Sequence, residues 1–308
     1  MRECGVRLKS MVRSLCILVI LLGMVALNGC APRATQAQET APPQPVQTAP
    51  SQPTPTAGCN VAAPQPPPDR VNVNGTTRTF ITAVPDSYDP SQPHALVVAF
   101  HGRTNSNEQA RSYFGLEDAI PNALFVYPSG IEQGGSYSWF DPGDSAEDLR
   151  DYAFFDEILR VMSSSYCLDE KRVFVVGHSL GASFANSLAC ARPTVRAVAS
   201  LAGGISGTTC TPAAALILHN PADQLVPVAA GAQVRDTFIA QNGAAPKGVP
   251  ITSGILADFR CTWFVEKRNP VVWCPHDFSE RYDGSYYPHV WPDTTGQALA
   301  YFFATLEE

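Results

Sequence analysis

The sequence predicts an α/β fold, a mostly parallel central sheet with helices on both faces. Three observations point there. Short apolar runs without polar alternation recur along the chain, as strands buried on both faces require. They alternate with longer stretches of helical periodicity, the pattern of repeated β-α-β units. One run, Arg172-Val173-Phe174-Val175-Val176, passes through Gly177-His178-Ser179-Leu180-Gly181 into the helix-like residues 182–191. Strand, G-x-S-x-G, helix is a sharp turn that lifts a serine hydroxyl clear of a sheet.

Residues 71–75 and 77–84 alternate apolar and polar around Asn74-Gly75, a hairpin signal. Residues 95–100 are a continuous apolar run ending in His101-Gly102-Arg103-Thr104. Residues 107–116 read as a helix and 123–127 as a short buried strand. Residues 148–167 form the longest helical candidate, with Phe154, Ile158, Leu159 and Met162 on one side. After the serine turn and its helix come apolar runs at 195–201 and 214–219, and a helix over 228–241. A last strand spans 270–274 and a last helix 295–306. Sites in such sheets lie at the carboxyl ends of the strands. The chemistry-bearing residues follow Phe100, Val176, His219 and Cys274, all at such ends.

Part of the 308-residue length is not fold. Arg2, Arg7, Lys9 and Arg13 precede an apolar run over 15–27, which reads as an export signal and not a membrane span. Met11 is an alternative start that leaves a compact signal with Arg13. The run closes on Leu27-Asn28-Gly29-Cys30, which resembles a bacterial lipobox with Cys30 as the lipidated residue; an ordinary secretory signal is the alternative. Residues 31–58 are almost wholly Ala, Pro, Gln and Thr, a composition that buries no core and reads as a tether. The expected organisation is a signal over 1–30, a linker over 31–58 and one domain over 59–308. The expected location is outside the cytoplasm, anchored by lipid or released. A net charge of -7 without a basic cluster excludes nucleic acid as an expected partner.

Cys4 and Cys16 fall in the signal, leaving six cysteines beyond Cys30. An even number behind an export signal points to three disulfides. Many pairings are possible. The expected one is Cys59–Cys167, Cys190–Cys210 and Cys261–Cys274, two local bridges and one that pins the domain's N-terminus. No CxxC or paired-histidine spacing calls for a metal.

A serine hydroxyl needs a base to become a nucleophile, usually a histidine oriented by a carboxylate. The α/β-hydrolase fold places them in the order Ser, Asp or Glu, His. Ser179 is followed by Asp223, in a turn after the 214–219 strand, and by His289, just before the last helix. A turn aspartate can instead cap the next helix. Among the histidines, His178 sits inside the turn itself and cannot reach its neighbour's hydroxyl as base. His101 belongs to another loop, and His276 is the reserve to His289. The amides of Arg103 and Leu180 are the expected oxyanion donors, one from the loop after the 95–100 strand and one from the helix start.

With these residues in view, the chain from Cys59 onward resembles the polyhydroxybutyrate depolymerase and feruloyl esterase group of secreted α/β-hydrolases. Matching pieces include Phe100-His101-Gly102, Trp139, Asp151 with Phe154-Phe155-Asp156, and Tyr166-Cys167-Leu168-Asp169. Leu188-Ala189-Cys190, Ala202-Gly203-Gly204, Val272-Trp273-Cys274 and His289-Val290-Trp291-Pro292 continue the match. Departures fall at His178 and Leu180 around the serine, at Arg103, and at Tyr286-Tyr287-Pro288 before the histidine. Residues 277–285 lengthen that last loop. The resemblance implies serine carboxylesterase chemistry without a cofactor, with Ser179, His289 and Asp223 as triad.

Two substrate classes compete: short hydroxyalkanoate esters, and feruloyl or acetyl esters of plant polysaccharide. Trp139, Phe140, Tyr286, Tyr287 and Trp291 lie in loops near the expected rim and suit an aromatic cleft; Trp139, Tyr287 and Trp291 are the expected substrate contacts. The expected partner is a small or oligomeric ester met by a monomer, with membrane contact through the lipid only. A different class stays open: a surface lipoprotein whose hydrolase-like domain binds without turnover.

Overall fold

In the computed structural model, which describes residues 52–139, 149–206, 210–281 and 283–306, β1 (Arg70–Val73) and β2 (Thr76–Ala83) form the expected antiparallel hairpin. Asn74 and Gly75 both take positive φ, 50° and 84°, as a two-residue turn matched to strand twist requires. Next come β3 (His94–Phe100), α1 (Asn107–Phe114), α2 (Leu116–Ala119) and β4 (Leu124–Pro128). A capping box starts α1: Ser106 Oγ accepts the Gln109 amide while the Gln109 side chain accepts the Ser106 amide. The short strands β5 (Ile131–Gln133) and β6 (Ser136–Ser138) pair only with each other. Then follow α3 (Leu149–Ser165), β7 (Leu168–His178), α4 (Leu180–Ala191), β8 (Ala197–Leu201), β9 (Ala214–Leu218) and α5 (Val228–Asn242). The chain ends with β10 (Val249–Pro250), α6 (Ile255–Asp258), β11 (Thr262–Phe264), β12 (Val271–Cys274) and α7 (Thr295–Ala304).

Ten strands make one sheet in the order β1-β2-β4-β3-β7-β8-β9-β12-β11-β10. The six from β4 to β12 run parallel, and the antiparallel pairs flank them. All residues of β3, β4, β8 and β9 are buried, so their continuous apolar runs are explained by helices on both faces. Val173 and Val175 of β7 face α3, α4 and α5, joining Phe154, Ile158, Phe184 and Phe238. Phe174 and Val176 face the other way, onto α1 and α7, where Phe174 stacks on Phe303 at 4.2 Å. Burying one such side chain contributes about 1.5–3 kcal/mol.

The packed domain begins ahead of the expected boundary at Cys59. Thr54 donates its amide to Asp169 Oδ1 at 2.9 Å, and Thr56 its amide to the Leu168 carbonyl at 3.0 Å. The Gly58 amide reaches the Ser163 carbonyl at 2.9 Å. These bonds lay residues 54–58 against the end of α3 and the start of β7; a Pro/Thr composition does not prevent backbone pairing with an edge. The cysteines are joined as Cys59–Cys167, Cys190–Cys210 and Cys261–Cys274. The signal segment with Cys30, the linker up to residue 51, and Phe140 lie outside the described residues.

Candidate active site

The serine turn is built by close approach. Ser179, between β7 and α4, takes φ 57° and ψ -122°, a strained conformation for a residue with a Cβ. A Cβ on Gly181 would collide with the carbonyls of Phe100 and His101, and one on Gly177 with the backbone of Gly181. Glycine at both positions lets the turn press against the loop after β3. The Ser179 amide is held by the Leu201 carbonyl at 2.9 Å.

That neighbouring loop carries Gly102 and Arg103. His101 fixes it from below: its Nδ1–H donates to the Gly102 carbonyl at 2.8 Å, and its Nε2 accepts the Gly130 amide at 2.9 Å. Burial pushes the His101 pKa down to about 4, so the ring is neutral, as an acceptor nitrogen requires. Among the described residues, neither the Arg103 amide nor the Leu180 amide has a hydrogen-bond acceptor. Leu180 opens α4, where the first amides have no intrahelical acceptor.

Asp223 and His289 meet across the ends of β9 and β12. His289 Nδ1 lies 2.6 Å from Asp223 Oδ2. Asp223 Oδ1 accepts the amides of Leu225 at 2.8 Å and Val226 at 3.1 Å. Burial would raise the Asp223 pKa, but the bonds from His289 and the two amides outweigh it and hold it below the ordinary value. A carboxylate accepting three hydrogen bonds stays charged and keeps the His289 proton on Nδ1, which leaves Nε2 as the basic nitrogen. His219 stands behind, Nε2 donating to the Val226 carbonyl at 2.8 Å.

Ser179, His289, Arg103 and Leu180 all line one cleft of about 1970 Å³. Residues of the 277–285 segment form one wall. It is tied down where Asn220 Nδ2 donates to the Phe278 carbonyl at 2.7 Å and where Arg260 pairs with Asp277. Tyr287 lines the cleft, edge-on to His289 with ring centroids 5.9 Å apart, and Arg281 lies over its ring at 3.7 Å. Trp291 also borders the cleft but is 6% exposed, stacked on Phe114 at 4.2 Å.

One expectation needs correction. Trp139 is not at the rim: it is 3% exposed and packs against Phe100 and Phe184. Its Nε1–H donates to the His101 carbonyl at 2.9 Å, so it buttresses the Arg103 loop from within. A loop position in sequence does not reveal that the loop folds back over a core helix. His276, the reserve base, is fully buried, and burial takes its pKa down to about 4. Sequence reasoning also missed Tyr113, whose hydroxyl meets His178 Nδ1 at 3.2 Å; no local signal links residues so far apart. Among the described residues, no group of three or more His, Cys, Asp or Glu side chains is arranged to hold a metal.

The chain has relatives. The Esterase family model matches residues 72–288. Feruloyl esterase D of Neurospora crassa is 31% identical over 201 residues, covering 59% of this chain and 66% of that protein. Poly(3-hydroxyalkanoate) depolymerase C of Paucimonas lemoignei is 29% identical over 170 residues, covering 53% of this chain and 40% of that protein. The chain thus spans just under two thirds of the first relative and less of the second. The acetyl xylan esterase from Aspergillus awamori superposes with a TM-score of 0.54 at 15% identity, over 67% of this chain and 91% of that one. That last likeness is one of fold, the α/β-hydrolase fold.

Proposed function

This chain belongs to the Esterase family, and from that premise we propose that it is a serine carboxylesterase working through Ser179, His289 and Asp223. The observation that carries the reading is the 2.6 Å bond between Asp223 and His289, set in the same cleft as a strained Ser179. In this reading His289 Nε2 removes the Ser179 proton as Oγ attacks the ester carbonyl carbon. Asp223 stabilises the imidazolium that results. The Arg103 and Leu180 amides receive the oxyanion, each such donor contributing about 3–4 kcal/mol to the transition state. His289 then protonates the leaving alcohol, and water attacks the acyl-enzyme by the reverse path.

Feruloyl or acetyl esters are the favoured substrates. Tyr287 beside His289 and the half-buried Tyr113 give the cleft aromatic walls, and its breadth suits an ester carried on a saccharide. Short hydroxyalkanoate esters are the second candidates, because a relative is named for that activity. The domain is proposed to act outside the cytoplasm, held by a lipid on Cys30 through the linker. Three disulfides fit an oxidising compartment.

The test is hydrolysis of p-nitrophenyl acetate, p-nitrophenyl butyrate and methyl ferulate by the oxidised protein, beside Ser179→Ala. Turnover that vanishes in the variant is expected, with the feruloyl or acetyl ester preferred. A folded wild type that turns over none of them would move the reading to a non-catalytic binding lipoprotein.

A further inference from the structure

His178, the residue before the nucleophile, cannot serve as base, yet it is buried and both ring nitrogens are occupied. Nδ1 faces the Tyr113 hydroxyl at 3.2 Å, and Nε2 faces the backbone carbonyl of His289 at 3.1 Å. A carbonyl only accepts, so Nε2 carries the proton, and Nδ1 accepts from the Tyr113 O–H. Burial, reinforced by the neighbouring His289, takes the His178 pKa down to about 3, consistent with one proton on the ring. The two imidazoles lie 5.1 Å apart, centroid to centroid. Tyr113 comes from α1 and His178 from the end of β7. His289 lies in a segment with no helix or strand of its own. A base on such a segment needs something rigid to fix its distance from the serine.

We propose that His178 is a positioning residue: through Tyr113 O–H···Nδ1 and Nε2–H···O=C of His289, it fixes the backbone of the base to the turn that carries Ser179. The strut uses the residue next to the nucleophile, so any displacement of the turn is passed to the base. It sets the aim of His289 Nε2 while Asp223 sets its tautomer. The His289 carbonyl sets the His178 tautomer, and the Tyr113 O–H satisfies the Nδ1 that is thereby left as an acceptor. The inference rests on the triad reading proposed above.

The test compares His178→Leu, His178→Gln and Tyr113→Phe with wild type and Ser179→Ala, using kcat and KM on a soluble p-nitrophenyl ester and the rate of fluorophosphonate labelling. A misplaced base should cost kcat and not KM. His178→Leu is expected to lose about 10–100-fold in kcat and in labelling rate, with KM within about twofold. His178→Gln keeps an N–H near the position of Nε2 and should recover most of that loss; Tyr113→Phe should lose less than His178→Leu. Equal losses in the Leu and Gln variants would mean that ring volume and not the hydrogen bond matters, and would overturn the inference. So would a wild-type kcat in His178→Leu. If His178→Leu does not fold, His178→Gln and Tyr113→Phe decide: a Tyr113→Phe enzyme with unchanged kcat rejects the strut. A wild type that is inactive and unlabelled removes the triad reading and this inference together, whereas an active wild type silenced by Ser179→Ala isolates the failure to His178.

Discussion

His289 Nδ1 and Asp223 Oδ2 are 2.6 Å apart, although their residues sit after different strands, β12 and β9. The carboxylate is presented by its own turn, which spends the Leu225 and Val226 amides on the other oxygen. Neither side chain has freedom to turn away, since Asp223 is 4% and His289 5% exposed. The pair therefore has a defined tautomer and orientation before any substrate arrives.

Asp223→Asn should keep the fold and lose that tautomer control. A fall of about 10⁴-fold in kcat is expected from the role of such carboxylates. Steady-state kinetics beside a melting curve will check it; a folded variant within tenfold of wild type would remove Asp223 from the triad.

Acid should destabilise the protein from just below neutrality. His101, His178 and His276 are buried, and burial lowers their pKa values to about 4, 3 and 4. The unfolded chain binds protons below about pH 6.5, whereas the folded one does not until far lower. The stability these neutral rings carry is thus present above pH 6.5 and lost as pH falls toward their folded values. Each costs about 1.4 kcal/mol per pH unit within that window. Thermal melts from pH 7.5 to 4.5 should show a steady drop in Tm, and a flat profile would contradict the burial of neutral imidazoles.

Trp139 and Tyr287 should separate stability from substrate binding. Trp139→Phe loses the bond to the His101 carbonyl and part of the packing on Phe184. Its Tm should fall, with KM within about twofold of wild type. Tyr287→Ala should raise KM at nearly unchanged Tm. The opposite pattern would return Trp139 to the cleft.

The N-terminal segment should matter to stability. A chain starting at residue 59 lacks the backbone bonds of Thr54, Thr56 and Gly58 to Asp169, Leu168 and Ser163. Net contributions of about 0.5–1.5 kcal/mol per bond predict a lower Tm than for a chain starting at residue 52. Identical melting would show that residues 52–58 are as loose as their composition suggests.

The strands at the centre were legible because helices cover both faces, which forces runs such as those in β3 and β9 to be apolar throughout. The residues of the proposed triad could be placed for the same reason: Ser179, Asp223 and His289 follow β7, β9 and β12, strands that could be read. The helix expected over 107–116 breaks at Gly115 into α1 and α2, with Gly115 left-handed between them. The short strands β10 and β11 at one end of the sheet escaped notice. They are two and three residues long and partly exposed, too short for a period to emerge. The hairpin β5–β6, which Trp139 directly follows, is likewise three residues a side. The contacts of His178 were hidden because its partners, Tyr113 and the His289 carbonyl, converge only in the folded chain.

The most direct test of the central claim is fluorophosphonate labelling of the oxidised protein followed by peptide mapping, with His289→Ala alongside. One adduct on Ser179, formed in wild type and lost in the variant, is the result expected of a serine activated by its histidine. No adduct on Ser179, or one that forms equally fast without His289, would contradict the account.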